Sequence, residues 1–74
     1  MEPNVWLYTK DLRTVRIVQR PAEVGTEVLM VAPDGVRTRQ AFSTLEDATR
    51  FRATLARRIL AKGFTLVWGS SDAP

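Results

Sequence analysis

Residues 43–63 read STLEDATRFRATLARRILAKG, and this stretch decides the fold because it holds the one long helical pattern in the chain. Apolar side chains recur at three- to four-residue spacing from Leu45 to Ile59, which is typical of an amphipathic helix. A helix with a single apolar stripe can cover one face of a sheet and no more. We therefore predict one helix over about residues 44–62, lying across whatever sheet the remaining residues form.

Both ends of this helix carry sequence signals. Ser43 and Glu46 have the spacing of a capping box, in which the serine hydroxyl accepts from the Glu46 amide and the carboxylate returns to the serine amide. Ser43 is therefore the expected N-cap. Gly63 is placed to end the helix in the left-handed region, with Phe64 packing back on Ile59.

Short strand patterns surround the helix, four before it and one after it. Each pattern is a run of alternating or continuous apolar residues bounded by a turn, which is typical of β-strands. Pro33-Asp34-Gly35 is the clearest of these turns. The predicted strands are Val5–Lys10, Thr14–Arg20, Glu27–Ala32, Val36–Phe42 and Phe64–Trp68.

Together these elements predict an α+β fold of order β-β-β-β-α-β. Short connections favour an antiparallel meander of the first four strands. A helix that crosses this sheet diagonally delivers the fifth strand beside the first, which gives an antiparallel sheet in the order 5-1-2-3-4. Placement of the fifth strand beside the fourth, or in another subunit, remains open. We expect a single domain, residues 1–74, with a core over about 5–68 and a flexible tail over 69–74.

The residue types present make enzymatic chemistry improbable. The chain has no Cys and no His, so it lacks thiolate metal ligands, the commonest metal ligand and the commonest general base. Glu46 and Asp47 are neighbours on a helix, so their carboxylates diverge and cannot act as a pair. We expect no catalytic residue, no metal site and no cofactor, and therefore a protein that is not an enzyme.

No segment of the sequence predicts membrane insertion. The longest apolar run is Val28–Ala32, and a bilayer-spanning helix needs about 20 apolar residues. The N-terminus shows no basic region followed by an apolar one, as a signal peptide would. We expect a cytoplasmic protein without membrane partners.

One helix leaves the other face of the sheet bare, and this uncovered face is the main functional clue. We assign Val5 and Leu7 to the helix side and the alternate residues of the first strand to the uncovered face. Aromatic and arginine side chains there could bind a ligand, and aliphatic ones could form a dimer interface. The binding candidates are Trp6, Tyr8, Arg16, Arg20, Arg37 and Arg39. The dimer candidates are Val18, Leu29, Val31 and Val67.

The fourth and fifth strands pose separate problems of side-chain direction. Phe42 shares its parity with Thr38 and Gln40, so a bulge near Gln40 or Ala41 is expected to let Phe42 alone turn inward. In the fifth strand, alternation predicts Phe64, Leu66 and Trp68 on one face.

Two functional hypotheses follow from the uncovered face. The first is a small homodimeric adaptor or regulatory domain that contacts itself or another protein through this face. The second is a nucleic-acid binder, in which aromatics stack on bases and arginines meet phosphates. A formal net charge of +3 is compatible with either hypothesis.

One segment resembles a known family. The run Arg37-Thr38-Arg39, then residues 42–48 and Lys62-Gly63-Phe64, is similar to the second half of WGR domains, which are DNA-end-binding modules. The Trp-Gly-Arg signature of that family is absent, since residues 31–35 read VAPDG. The resemblance implies a strand followed by a capped helix and transfers no site residue.

Overall fold

The computed structural model describes residues 4–70 as five strands and one helix. The sheet is antiparallel in the order β4-β3-β2-β1-β5, with α1 packed across one face. The predicted α+β class and the strand order 5-1-2-3-4 are therefore confirmed. The elements are β1 Asn4–Lys10, β2 Arg13–Pro21, β3 Thr26–Val31, β4 Arg37–Phe42, α1 Leu45–Ala61 and β5 Thr65–Gly69. Within residues 4–70, no helix is long and apolar enough to cross a membrane.

The helix begins one residue later than the capping box suggests. Thr44, not Ser43, is the N-cap: its backbone is extended, with φ −127°, and its hydroxyl accepts from the Asp47 amide at 3.1 Å. The prediction of Ser43 was wrong because Thr44 and Asp47 offer the same hydroxyl-to-acid spacing as Ser43 and Glu46. Two overlapping frames fit the motif, and the sequence pattern does not choose between them.

The C-terminal end of α1 forms as predicted. Gly63 has φ +96°, and its amide donates to the Leu60 carbonyl at 3.0 Å. The Phe64 amide donates to the Ile59 carbonyl at 3.4 Å. These two bonds define a Schellman ending, in which a left-handed residue after the helix satisfies carbonyls of its last turn. Phe64 packs against the core cluster that contains Ile59.

The turn between β1 and β2 determines which residues of β1 face the helix. Lys10 pairs with Arg13, so the loop holds only Asp11 and Leu12. In this register Trp6 lies opposite Ile17, which belongs to the core beneath the helix. Residues that lie directly opposite each other on adjacent strands share a face of the sheet. Trp6 therefore points toward the helix, as does its neighbour two residues on, Tyr8, which lies opposite Val15.

This register overturns the predicted faces of β1. Trp6 and Tyr8 were expected on the uncovered face, and Val5 and Leu7 toward the helix; the reverse is found. The expected turn, residues 11–13, is one residue longer than the real one. Because side chains alternate along a strand, a shift of one residue sends every side chain to the other face.

The core lies between the helix and the central strands. Ile17 and Val28 are its largest fully buried side chains, and Phe42, Phe51 and Leu55 pack against it from the sheet and the helix. The centroids of the Phe42 and Phe51 rings lie 5.1 Å apart, and the two rings are tilted, an arrangement that aromatic pairs prefer. The buried cluster comprises Trp6, Tyr8, Val15, Ile17, Val28, Ala48 and Ile59.

The expected bulge in β4 is absent, and a bulge occurs elsewhere. The β3–β4 register runs without a shift from Thr26 and Phe42 to Val31 and Arg37. Thr38 and Gln40 therefore share the face of Phe42 and stay exposed, because β4 lies at the edge of the sheet.

The register shift lies between β1 and β5. Tyr8 pairs with Leu66, and Leu7 pairs with Trp68, which leaves Val67 as an extra residue. Leu66 therefore shares the helix side and Trp68 the uncovered side. The prediction that both side chains lie on one face was wrong because the extra residue breaks the alternation.

The sheet extends further toward the C-terminus than expected. Gly69 belongs to β5 and pairs with Trp6. The Ser70 amide donates to the Val5 carbonyl at 2.9 Å, and the Val5 amide donates to the Ser70 hydroxyl at 2.9 Å. The first two residues of the predicted tail are thus tied to β1, and residues 71–74 lie outside the described part of the chain.

Candidate interaction surface

The uncovered face is the side of the sheet opposite α1, and cross-strand pairing arranges it in rows. Residues that lie opposite each other on adjacent strands form one row. Each row crosses the sheet perpendicular to the strands and runs in the direction from β5 toward β4. The longest row is Trp68, Leu7, Arg16, Val31 and Arg37. The next row is Val5, Val18, Leu29 and Arg39, followed by Arg20, Glu27 and Ala41.

Most of the predicted site residues meet on this face. The register brings together seven of the ten candidates, and Val67 lies beside them at the register shift in β5. The other two, Trp6 and Tyr8, lie on the helix side. The seven that share the uncovered face are Arg16, Val18, Arg20, Leu29, Val31, Arg37 and Arg39.

Trp6 and Tyr8 are core residues and not part of a surface. Their exposed fractions are 5% and 3%, and the Arg52 guanidinium lies over the Trp6 ring. Burial raises the pKa of the Tyr8 hydroxyl, and the positive charge of Arg52 partly opposes this shift. Neither ring can stack on a base unless the helix leaves the sheet.

Three apolar residues of the uncovered face escaped the sequence prediction. Val5 and Leu7 of β1 and Trp68 of β5 lie there. A signal for the two β1 residues was present, because a two-residue turn at Asp11 and Leu12 would have assigned their face correctly. Trp68 had no such signal, since its direction depends on the bulge at Val67.

The uncovered face divides into two halves of different charge. The half formed by β1 and β5 carries no charged side chain, and we call it the neutral half. The half formed by β2, β3 and β4 carries four arginines and one glutamate, and we call it the arginine half. The neutral half consists of Val5, Leu7, Thr9, Thr65 and Trp68. The charged residues of the arginine half are Arg16, Arg20, Glu27, Arg37 and Arg39.

Exposed apolar surface is concentrated at β5. Leu66, Val67 and Trp68 are consecutive and remain 48%, 56% and 56% exposed. No residue from 63 to 70 is charged. The aliphatic centre of the uncovered face is much less accessible: Val18 is 9% exposed and Leu29 is 7% exposed, because neighbouring side chains surround them.

The arginines of the arginine half are not equivalent. Arg20 forms an ion pair with Glu27, its cross-strand neighbour. Arg16, Arg37 and Arg39 are exposed and form no ion pair with any residue in the described part of the chain. Among residues 4–70, the one carboxylate on this face is thus already paired with Arg20, and the other three arginines form no ion pair.

Other surfaces offer little chemistry. Among residues 4–70, no three acidic side chains converge as metal ligands would. A cavity of about 200 Å³ lies where the sheet meets the start of α1. Among the described residues that line it, Arg20 alone is titratable, and these residues supply no pair of groups for proton transfer.

Comparisons with known proteins give no further guidance. No protein-family model, no curated protein and no solved structure matches this chain. The resemblance of residues 37–39, 42–48 and 62–64 to WGR domains therefore finds no support from a family match.

Proposed function

We propose that this chain is a non-enzymatic interaction domain that forms a homodimer through its uncovered face, with the second copy seated on the neutral half. The observation that carries the proposal is Trp68, which is 56% exposed on the uncovered face of an uncharged edge strand, next to Leu7 of β1. Exposed apolar groups that lie together are typical of protein contact sites.

Trp68 is the residue best suited to anchor such a contact. Tryptophan is enriched among the interface residues that contribute most to binding, and such residues lie where water is excluded. Trp68 begins the row that continues with Leu7, and Val5 begins the adjacent row. A partner that covers Trp68 would therefore also cover aliphatic side chains of β1.

Charge favours a second copy on this half and disfavours it on the other. A two-fold contact places each surface patch against the same patch of the partner. Centred on the neutral half, the contact brings no like charges together. Centred on the arginine half, it would oppose Arg16, Arg37 and Arg39 to their own copies, which is repulsive.

The experiment is sedimentation equilibrium over micromolar concentrations. The wild-type chain should fit a dimer, and Trp68→Lys should sediment as a monomer with an unchanged circular dichroism spectrum. The matched control is Val24→Lys, which adds the same charge at another exposed apolar residue, 79% exposed in the loop between β2 and β3. This control should remain dimeric.

Two results would count against the proposal. One is a wild-type chain that stays monomeric at the highest concentrations. The other is equal dissociation in both lysine variants, which would indicate a general effect of added charge. The cytoplasmic location expected from the sequence remains a prediction, which a fluorescent fusion would check.

A further inference from the structure

We propose that the arginine half binds the phosphate backbone of single-stranded nucleic acid without reading its bases. The residues concerned are Arg16, Arg37 and Arg39, which lie on the same face of the sheet within two neighbouring rows. They lie outside the neutral half, so this inference does not depend on the proposed dimer.

The geometry of β4 suits an extended polyanion. Arg37 and Arg39 are two residues apart on an antiparallel strand and share a face. A rise of about 3.4 Å per residue places their Cα atoms about 7 Å apart along the strand. This repeat is comparable to the distance between neighbouring phosphates of an extended single strand. Arg16 lies in the row of Arg37, separated from it by Val31, and supplies a third contact across the sheet.

The chemistry of the three side chains fits phosphate. A guanidinium donates two parallel hydrogen bonds to phosphate oxygens and stays charged at any physiological pH. All three side chains are exposed, and Glu27, the carboxylate on this face, is held by Arg20. The three guanidinium groups can therefore meet an anion without first breaking an ion pair.

An acidic protein fits this half less well than a polyanion does. Protein interfaces usually bury an apolar centre. The aliphatic centre of this face offers little surface to bury, since Val18 and Leu29 are only 9% and 7% exposed. The long exposed side chains of the arginine half are instead charged, namely Arg16, Arg37 and Arg39. Binding through counterion release needs no apolar centre, because neutralised phosphates alone supply the affinity.

The same geometry argues against base recognition. Sheet-face binders of single strands stack bases on aromatic side chains. Trp6 and Tyr8 are buried under the helix, and Trp68 lies at the far end of the row that contains Arg37. Affinity should therefore vary little with sequence and fall steeply as salt concentration rises.

The test is fluorescence anisotropy of labelled single-stranded DNA, single-stranded RNA and duplex DNA, each titrated with the full chain at several salt concentrations. The test variant is Arg37→Gln with Arg39→Gln. The control is Arg57→Gln with Arg58→Gln, which removes the same charge from exposed residues of α1. Both double variants have the same net charge, so a difference between them reports position alone.

We expect the β4 variant to bind single strands at least tenfold more weakly than wild type at low salt. Its slope of log affinity against log salt should fall by about 1.4, since each lost contact to a single strand contributes about 0.7. The α1 variant should stay close to wild type. Duplex DNA should bind more weakly than either single strand.

Four outcomes would overturn the proposal: no binding at low salt, equal weakening in the two double variants, tighter binding of duplex than of single strands, or equal affinity for polyglutamate. The last would identify an acidic protein as the fitting partner. Circular dichroism of each variant checks that the fold is retained. Sedimentation of the same samples measures the oligomeric state independently of nucleic-acid binding. Failure of the dimer proposal can therefore be distinguished from failure of the nucleic-acid proposal.

Discussion

The guanidinium carbon of Arg52 lies 4.2 Å from the centroid of the Trp6 ring, so a helix cation covers the largest aromatic of the core. Arg52 Nε also donates to Gln19 Oε1 at 3.2 Å, and Gln19 Nε2 donates to the Thr49 hydroxyl at 3.2 Å. Gln19 is 5% exposed, and these bonds satisfy both ends of its amide. Arg52 therefore joins α1 to β1 and β2 and differs in role from the arginines of the uncovered face.

Arg52→Lys should destabilise the fold by about 1–2 kcal/mol. Lysine keeps the charge but loses the planar group that stacks on Trp6 and the Nε donor that reaches Gln19. Urea unfolding followed by tryptophan fluorescence gives the free energy. Arg58→Lys, at an exposed position of the same helix, is the control and should change stability by less than about 0.5 kcal/mol. Equal effects at both positions would contradict the structural role of Arg52.

Gly69→Ala should also destabilise the fold, by about 1–3 kcal/mol, through overpacking. A Cβ atom at Gly69 would lie 2.7 Å from Cδ1 of Trp6, closer than nonbonded carbon atoms approach. Thr65→Ala, at the exposed first position of β5, is the control. Thermal unfolding of both variants measures the difference. A Gly69→Ala chain as stable as wild type would mean that β5 does not pair with β1 in this register.

The N-cap can be identified by two single variants. Thr44→Ala should cost about 1 kcal/mol, because it removes the hydroxyl that accepts from the Asp47 amide. Ser43→Ala should leave stability almost unchanged, since the Ser43 side chain makes no capping bond in the described structure. Chemical denaturation of the two variants compares them directly. A larger loss in Ser43→Ala would restore the capping box that the sequence suggests.

The sequence was sufficient to predict the fold because its strongest signals are local. The periodicity of residues 43–63 and the glycine at 63 define the helix, and short connections leave few arrangements for five strands. Strand order then followed from the need to spread one helix over the sheet. Each of these inferences tolerates an error of one residue at a strand end, as the observed bounds of β1 and β2 illustrate.

The prediction of which face each side chain occupies fails if a strand end is wrong by one residue. Whether Asp11 and Leu12 alone form the turn, or Arg13 joins them, decides if Trp6 faces the helix or the solvent. Asp11 adopts φ +56°, which aspartate accepts more readily than most residues, and this favours the tighter turn. The bulge at Val67 depends on pairing between distant parts of the chain, so local pattern could not place Trp68.

Tyr8 provides a prediction about pH. Burial raises its pKa above the ordinary value of 10.0, although Arg52 opposes the shift. A raised pKa in the folded state means that the neutral phenol is favoured there, so this stabilisation is complete below pH 10 and is lost as pH rises through the folded-state pKa. Tyr8 is the one tyrosine in the chain, so phenolate absorbance follows it alone. We expect a titration midpoint above that of the urea-unfolded chain, and a smaller loss of stability above pH 10 in Tyr8→Phe than in wild type. Identical midpoints in folded and unfolded chains would contradict the burial of Tyr8 beneath α1.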